Sequence, residues 1–236
     1  MKVVSWNCNG ALRKKLKEIT SWNADIYVIQ ECEDPNQSKD EDYKSWADNH
    51  LWVGDNKNKG LGIFAKTDIL LTPLNWSNQY EDHQVKYFLP CLIENHFQLL
   101  ATWAHHNNSP TFGYIGQVWK YLNINADKFD KIIIAGDLNS NAIWDKWDRW
   151  WNHSDVVKHL KKKGITSLYH HFTNEIQGEE SKPTLFLQKN PEKPYHIDYF
   201  FASEEILKQT EKISIGVIDD WLKVSDHMPL MMETSF

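Results

Sequence analysis

The sequence is poor in cysteine and contains no long apolar run, and both shortages exclude classes of protein. The 236-residue chain has only three cysteines, Cys8, Cys32 and Cys91, and their spacing fits no zinc finger. A disulfide scaffold is therefore not expected, and a reducing compartment such as the cytoplasm is favoured. No apolar run is long enough to span a bilayer, and residues 1–10 lack the apolar core of a signal peptide.

Positive charge is also limited. The chain carries 26 Lys and Arg residues against 32 Asp and Glu residues, which gives a formal net charge of −6. Proteins that bind duplex DNA tightly and without sequence preference usually present a basic surface, so this balance argues against that class. A nucleic-acid substrate is still compatible with it, because a local basic rim can coexist with an acidic total. The sequence has no long coiled-coil heptad either, and we expect a monomer.

Internal repeats and low-complexity linkers are likewise absent, so we expect a single catalytic domain over residues 1–236. Apolar runs predict strands, and helical spacing of apolar residues predicts helices. Strands are expected at residues 2–6, 26–30, 61–65, 132–135, 196–202 and 228–233, a hairpin at 85–94 and 97–104, and helices at 11–22, 112–125 and 156–163. Strand–helix–strand and hairpin signals both occur, which predicts an α/β fold of mixed sheets packed together and covered by helices.

Polar side chains suited to catalysis stand at the ends of these apolar strands. They are Asn7, Glu31, Asp137 with Asn139, Asp198, and Asp226 with His227. Catalytic groups are often carried on loops that a rigid scaffold holds in place. Each of them alone is more often a solvated or turn residue, but together they favour a divalent-metal hydrolase that acts on phosphate esters.

Glu31 is the best single candidate for a metal ligand. Mg²⁺ is a hard ion that takes oxygen ligands and retains part of its water shell, and a carboxylate at a strand end suits it. Asn7 and Asp226 could reach the same ion, directly or through water. The alternative for Glu31 is a solvated residue that merely follows a strand.

Two pairs of residues have the chemistry to handle water and phosphate. Asp137 could orient or deprotonate the attacking water, and Asn139 could donate to phosphate oxygens or fix the Asp137 carboxylate. An Asx turn is the alternative for this pair, since Asp and Asn favour turns. His227 could hold the scissile phosphate or stabilise its developing charge. Asp198 could fix the imidazole tautomer and favour its protonated form.

Two adjacent histidines, His105 and His106, follow the apolar run at residues 99–104. A histidine at that strand end could protonate the leaving oxygen or bind phosphate, and we favour His105 for this role. The alternative for both is a solvated loop residue. A zinc site is not supported, because the histidines lack the required Cys/His spacing.

Tryptophan is abundant, with 12 residues in the chain. Trp144, Trp147 and Trp151 would share one face of a helix, so packing in the core is the expected role. The alternative is a platform on which nucleic-acid bases stack, and this role requires exposed rings.

Together these motifs resemble the endonuclease/exonuclease/phosphatase superfamily, which includes DNase I, exonuclease III-type nucleases and neutral sphingomyelinases. The resemblance runs from Ser5 to Leu230 and rests on six short segments in a specific order: residues 5–10 (SWNCNG), 29–31 (IQE), 60–64 (GLGIF), 136–139 (GDLN), 197–199 (IDY) and 225–229 (SDHMP). It implies a four-layer α/β sandwich, two packed mixed β-sheets flanked by helices, with the site at one edge of the sheets.

The resemblance also implies hydrolysis of phosphoesters that depends on Mg²⁺ or Mn²⁺. By motif match, the metal-binding residues would be Glu31, Asn7 and Asp226. The remaining roles would fall to Asp137 and Asn139 for water and phosphate, and to Asp198 as the support of His227.

The N-terminal motif is most similar to the exonuclease III branch, but other segments depart from that branch. Cys32-Glu33 stands where the branch has a small residue and a lysine, and residues 105–108 (HHNN) replace its tyrosine-bearing loop. Residues 183–186 (PTLF) stand in place of its Thr-Trp-Trp segment. These departures argue against abasic-site repair and leave nuclease activity as the expectation.

The prediction from the sequence is a divalent-metal-dependent phosphodiesterase that acts as a nuclease, with DNA favoured over RNA as the substrate. The alternative keeps the chemistry and changes the substrate to a nucleotide, small-molecule or lipid-headgroup phosphate. A non-catalytic binding module is disfavoured, because no expected site residue is missing.

Overall fold

Strands and short helices follow one another along the described part of the chain, residues 1–106 and 112–235 of a computed structural model. The strands are β1 (Lys2–Asn7), β2 (Ile26–Cys32), β3 (His50–Asn56), β4 (Lys59–Ala65), β5 (Leu71–Pro73), β6 (Gln79–Tyr80), β7 (His83–Gln84), β8 (Phe88–Ile93), β9 (Phe97–Trp103), β10 (Ile132–Asp137), β11 (Ile165–Ser167), β12 (Leu185–Phe186), β13 (Pro194–Tyr195), β14 (Asp198–Ser203), β15 (Thr210–Ile215) and β16 (Leu230–Thr234). The α-helices are α1 (Leu16–Thr20), α2 (Glu41–Trp46), α3 (Ile115–Asn125), α4 (His153–Lys162), α5 (Leu168–Thr173), α6 (Glu204–Gln209) and α7 (Ile218–Trp221).

Most strands belong to two six-stranded mixed sheets. The first has the order β15–β16–β1–β2–β4–β3, and the second has the order β11–β14–β10–β9–β8–β5. Each sheet contains one parallel pair near its centre, β1 with β2 and β9 with β10. Parallel strands need a crossover connection, which explains why helix α1 separates β1 from β2 and helix α3 separates β9 from β10. The two parallel pairs place several strand ends that carry polar residues at one edge of each sheet.

Three apolar clusters hold four layers together. The central cluster joins the facing sides of the sheets, for example Val28 of the first and Ile133 of the second. A second cluster packs α3 and α4 on the outer side of the second sheet. A third packs α1, α2 and α7 on the outer side of the first sheet. Successive side chains of a strand point to opposite faces of the sheet, so one strand contributes to two clusters. Val3 packs in the central cluster and Val4 in the outer one. The predicted four-layer α/β sandwich is confirmed.

Helix boundaries differ from the sequence prediction at three places. The expected helix at 11–22 is a 3-10 turn, Leu12–Lys14, followed by the short α1, because Ala11 and Lys15 adopt non-helical backbone angles. Helix α3 begins at Ile115 rather than at Phe112. Helix α4 begins earlier than expected, at His153, because Asn152 and Asp155 form a capping box at its start.

Several strands carry too weak a pattern to be predicted from the sequence. The pattern predicts neither β3 nor β15, which lie at the edges of the first sheet, where side chains are partly exposed and alternation is blurred. The hairpin of β8 and β9 is confirmed, with its turn at Glu94–His96. None of the helices formed by the described residues has the length and apolar composition needed to cross a membrane.

Candidate active site

The polar residues predicted as a site lie at the same ends of neighbouring strands. Asn7 ends β1 and Asp137 ends β10, and the antiparallel pairing of β10 with β14 sets Asp137 directly opposite Asp198. His227 lies just before β16, the neighbour of β1. The sandwich therefore brings residues from both sheets and from distant parts of the sequence to one place.

Asp137 is fully buried and is held by three hydrogen bonds. The side-chain amide of Asn7 donates to Asp137 Oδ2 at 3.0 Å. The backbone N–H of Asn139 donates to Oδ1 at 2.7 Å, and its side-chain amide donates to Oδ2 at 3.0 Å. Asn139 also donates to the carbonyl of Ala104 at 3.0 Å, which ties this loop to the end of β9. The residue pair forms an Asx turn and at the same time a rigid carboxylate site, so both sequence interpretations describe the same geometry.

Asp198 and His227 form a buried pair. His227 Nδ1 lies 2.9 Å from Asp198 Oδ2. The His227 backbone is fixed as well, since its N–H donates to Ser225 Oγ at 3.0 Å and its carbonyl accepts from the Trp6 indole at 2.9 Å. Ser225 in turn donates to the carbonyl of Asn7 at 2.8 Å. With Nδ1 occupied by Asp198, the imidazole keeps Nε2 as the nitrogen available for other contacts.

Burial and the mutual proximity of these groups shift their pKa values. Burial, followed by the charge of Asp198, raises the pKa of Asp137 to about 7, although His227 and the donors from Asn7 and Asn139 oppose the shift. Burial disfavours a charged His227, but Asp198, Asp137 and Asp226 outweigh it and raise its pKa to about 10. Oxygen or nitrogen atoms of Asp137, Asp198 and His227 lie within 4.8 Å of one another. Because Nδ1 is already bonded to Asp198, the cluster contains a hydrogen-bonded pair beside Asp137 rather than three free metal ligands.

Replacement of Asp198 by Asn is expected to lower the pKa of His227. Burial lowers this pKa, and the variant lacks the negative charge of Asp198 that opposes it. The folded pKa of about 10 lies above the ordinary value of 6.5, so the proton on His227 stabilises the native state. In the wild type this stabilisation is complete below about pH 6.5 and is lost as the pH rises through about 10. Histidine ring NMR titration and unfolding measured across this range, both in EDTA, should show the shift and a flatter pH profile in Asp198→Asn.

The ring resonances of His159, on helix α4, provide an internal control in the same spectra. They should titrate identically in both proteins. An unchanged His227 titration in Asp198→Asn would contradict the pairing.

Glu31 and Asp226 are neighbours of this hydrogen-bonded group, because Gln30 pairs with Asn7 and Asp226 precedes His227. Glu31 is in the left-handed backbone region, with φ 63°, at an irregularity in the pairing of β2 with β4. Its carboxylate pairs with the Lys59 ammonium at 2.8 Å. Asp226 Oδ1 accepts from the side chain of Asn9 at 2.9 Å, and the Asn9 backbone N–H donates to Asn7 Oδ1 at 3.0 Å. Asn9 therefore links two of the predicted metal ligands.

The donor atoms of the predicted metal ligands fit a hard divalent cation. Glu31, Asp226 and Asn7 offer only oxygen atoms, from two carboxylates and an amide, and such donors suit Mg²⁺ or Mn²⁺ better than softer ions. A left-handed, non-glycine residue such as Glu31 costs backbone energy and is found preferentially at functional sites. The Lys59 ammonium places a positive charge next to the Glu31 carboxylate. The sequence does not predict this contact, because it depends on the pairing of β4 with β2.

His105 lies near Glu31 and Lys59, whose charges act on its imidazole. Its ring packs against Tyr87 and Trp103, with centroid distances of 5.3 and 5.0 Å. Burial and then the charge of Lys59 lower its pKa, which favours the neutral form, although Glu31 opposes the shift. His106 packs against Tyr114, and Asn107 and Asn108 lie outside the described residues.

The tryptophans after Asn139 do not pack as expected. Residues 145–152 form no helix, and Trp147 is 98% exposed, while Trp150 is 63% and Trp144 44% exposed. Only Trp151 joins the core. The prediction of core packing is therefore wrong for Trp144 and Trp147.

The family model described as the Endonuclease/Exonuclease/phosphatase family matches residues 4–227. The chain belongs to this family. Family membership and the four-layer fold confirm the predicted class, a hydrolase of phosphoester bonds. Nucleases of the Endonuclease/Exonuclease/phosphatase family depend on divalent metal ions.

Solved structures with the same fold include three nucleic-acid enzymes. A 3′ phosphatase from Neisseria, bound to a product DNA hairpin, has 17% sequence identity and a TM-score of 0.73, and a 3′–5′ exonuclease from Neisseria meningitidis has 18% and 0.70. An AP endonuclease from Archaeoglobus fulgidus has 17% identity and a TM-score of 0.69. In all three comparisons each chain is covered over 100% of its length. Among curated proteins no sequence matches the chain.

Proposed function

We propose that this protein is a nuclease that hydrolyses phosphodiester bonds of DNA with Mg²⁺ or Mn²⁺ as its metal. The 3′ phosphatase of similar fold is bound to a product DNA hairpin, and this supports DNA as the substrate class. Residues 1–236 would form one catalytic domain, because the site draws on strands of both sheets and on both halves of the chain.

The buried carboxylate of Asp137 is the observation that carries this proposal. A carboxylate has about four acceptor positions, and three are filled by the donors from Asn7 and Asn139. One position remains, on Oδ1, for a water molecule. A pKa raised to about 7 also suits a group that accepts a proton near neutral pH. Asp137 would orient the attacking water and take its proton.

The Asp198–His227 pair would hold the phosphoryl group. With Asp198 on Nδ1 and a pKa raised to about 10, the imidazole is positively charged at neutral pH and its Nε2 donates. Such a donor stabilises the charge that develops on a phosphoryl oxygen during attack. Asn139 would hold the Asp137 carboxylate in position beside the phosphate, because its backbone and side-chain N–H groups already donate to Asp137 and Ala104.

Glu31, Asn7 and Asp226 would hold the metal, which when bound neutralises charge on the phosphate and on the leaving oxygen. Lys59 shares the Glu31 carboxylate and would hold it in position. His105 would assist the leaving group from the Glu31 side, as a neutral imidazole near Lys59.

The proposal is tested by hydrolysis of a substrate panel with Mg²⁺, Mn²⁺ or EDTA. The panel contains single-stranded DNA, duplex DNA, an abasic duplex, RNA and a bis-aryl phosphodiester. Metal-dependent cleavage of DNA is the expected result, and the abasic duplex decides whether the departures from the exonuclease III pattern exclude repair. Cleavage of RNA alone, or of no substrate, would contradict the proposal.

Glu31→Gln is expected to raise the Mg²⁺ concentration needed for half-maximal activity by about tenfold or more. Loss of a residue that only hydrogen-bonds to a metal ligand already lowers metal affinity by about that factor. Isothermal titration with Mg²⁺ measures the same loss without turnover. Glu204→Gln is the matched control, because Glu204 is an exposed residue that pairs with Lys208 along helix α6. Equal Mg²⁺ requirements in both variants would remove Glu31 from the metal site.

A second candidate, a phosphoesterase for nucleotides or other small phosphates, is favoured by one observation, the net charge of −6. The salt dependence of hydrolysis distinguishes the two candidate functions. DNA cleavage at low substrate concentration should weaken steeply with added salt, whereas turnover of a small ester should change little.

A further inference from the structure

An exposed aromatic segment borders the candidate active site. We define the tryptophan segment as residues 142–151. It begins three residues after Asn139, and three of its four indole rings are largely exposed, Trp147 at 98%. Trp144 packs against Tyr195 with a centroid distance of 5.1 Å, which fixes the segment to the strand just before Asp198. Clustered apolar rings on a surface mark interaction sites, because their exposure to water is unfavourable.

Part of the segment, including Trp144 and Trp151 but not Trp147 or Trp150, lines a cleft of about 570 Å³. This volume lies within the range of small-molecule sites. The cleft is lined by Asn139, Trp144, Lys146, Arg149, Trp151 and His153, among others. Asn139 therefore belongs both to the cleft and to the hydrogen-bonded group around Asp137. A molecule that fills the cleft lies next to the position proposed for the scissile phosphate.

Side chains of the neighbouring helix start hold the tryptophan segment in shape. Asn152 donates to the carbonyls of Lys146 and Arg149 at 2.9 Å each and accepts from the Lys146 N–H at 2.9 Å. Asp145 accepts from the N–H of His153 at 2.9 Å. The exposed rings are therefore presented by an ordered backbone, which reduces the entropy lost when a ligand binds.

His153, one of the residues that line the cleft, carries a buried polar atom without a partner among the described residues. Its side chain is only 1% exposed, and its Nε2 lies 3.0 Å from Gln177 Oε1. Nε2 must carry the proton in that contact, so Nδ1 is an acceptor, and among the described residues it has no hydrogen-bond partner. Burial lowers the pKa of His153 to about 4, which keeps the ring neutral. A ligand with an N–H group could complete this acceptor.

We propose that the cleft and the tryptophan segment bind an unpaired nucleobase next to the scissile phosphate, and that they select single-stranded or frayed DNA over intact duplex. This inference rests on the proposed nuclease function and specifies its substrate. Indole rings stack on any base, Lys146 and Arg149 attract the phosphates on either side, and His153 Nδ1 accepts from a base N–H. Only an unpaired base exposes both its face and its N–H groups. Stacking also suits a protein of net charge −6, since it depends less on a basic surface than duplex binding does.

The test is binding of fluorescein-labelled single-stranded DNA, and of a blunt duplex of two annealed strands, by fluorescence anisotropy in EDTA. Trp147→Ala and Trp144→Ala are each expected to weaken single-strand binding by about fivefold or more, with much less effect on the duplex. Trp144→Phe should restore part of the affinity, because a smaller ring still stacks. Phe172→Ala is the matched control, since this aromatic residue is 39% exposed on helix α5 and lies outside both the cleft and the tryptophan segment.

The outcomes separate this inference from the proposed function. Thermal melting by circular dichroism checks folding, and Trp147→Ala keeps the test decisive if Trp144→Ala unfolds, because Trp147 is almost fully exposed. Unchanged affinity in Trp147→Ala, or equal losses for single strand and duplex, would overturn the inference. If wild type hydrolyses the bis-aryl ester but the variants bind DNA as wild type does, the proposed phosphodiesterase chemistry is supported and the inferred base-binding role is refuted. Tryptophan-dependent single-strand binding without any phosphoester turnover would support the cleft and refute the proposed function.

Discussion

Asp137→Asn is expected to lower kcat for phosphodiester cleavage by about a hundred- to ten-thousandfold, the usual contribution of a general base. Asn has the size and shape of Asp, but its amide cannot take a proton from water. The change also turns one end of the side chain into a donor that faces the donors of Asn7 and Asn139. In return it removes a buried charge next to Asp198, and burial followed by the charge of Asp198 raises the pKa of Asp137 to about 7.

Because the two effects on stability oppose each other, the melting temperature should change far less than the rate. Single-turnover cleavage and thermal melting on the same preparation measure the two quantities. Asp127→Asn is the control for the substitution itself, since the Asp127 side chain is 97% exposed and pairs only with Lys163 at the surface. A wild-type rate in Asp137→Asn would remove this carboxylate from the chemistry, and a collapse of the melting transition would make it a structural residue.

Gly136→Ala is expected to lower the free energy of unfolding by about 3 kcal/mol or more, from overpacking together with backbone strain. Gly136 has φ 148°, and a Cβ atom there would lie 1.8 Å from the carbonyl oxygen of Thr102 on the neighbouring strand β9. Neither strand can move easily, because both are buried in the centre of the second sheet. Asp137 follows directly, so the substitution should also displace the carboxylate and abolish activity.

Urea unfolding of Gly136→Ala and of Gly164→Ala distinguishes the cost of the steric clash with Thr102 from the cost of a positive φ. Gly164 also has a positive φ, 73°, but no atom lies within 4 Å of an added Cβ. The control should therefore show only the conformational cost, on the order of 1 kcal/mol. Similar losses in the two variants would mean that the sheet accommodates the methyl group and that the contact with Thr102 is not rigid.

The sequence pattern predicts which polar residues come together where strand ends determine their positions. Asn7 and Asp137 are 130 positions apart, yet each ends an apolar run, and a layered α/β fold brings such ends together. The roles of Asn9 and Lys59 are not predictable in this way. Asn9 acts through a turn with φ 52°, and Lys59 reaches Glu31 only because β4 pairs with β2. Contacts of this kind depend on register, which a single sequence does not reveal.

The tryptophan segment shows the opposite error, because its spacing favours a helix that does not form. Asp145 and Asn152 use their side chains to bond backbone groups around the start of α4, and these local bonds compete with helical ones. The helix therefore begins at His153, and the rings at 144, 147 and 150 point away from the core. Apolar periodicity alone does not distinguish a buried helical face from an exposed aromatic loop.

The pairing of β1 with β16 makes the site depend on contacts between distant parts of the sequence. The side-chain hydroxyl of Ser225 joins Asn7 to His227, because it donates to the Asn7 carbonyl and accepts from the His227 N–H. A chain cut between α5 and β12 would carry Asn7 and Asp137 on one fragment and His227 on the other. Phosphoester hydrolysis would therefore report directly on the reassembly of the two fragments.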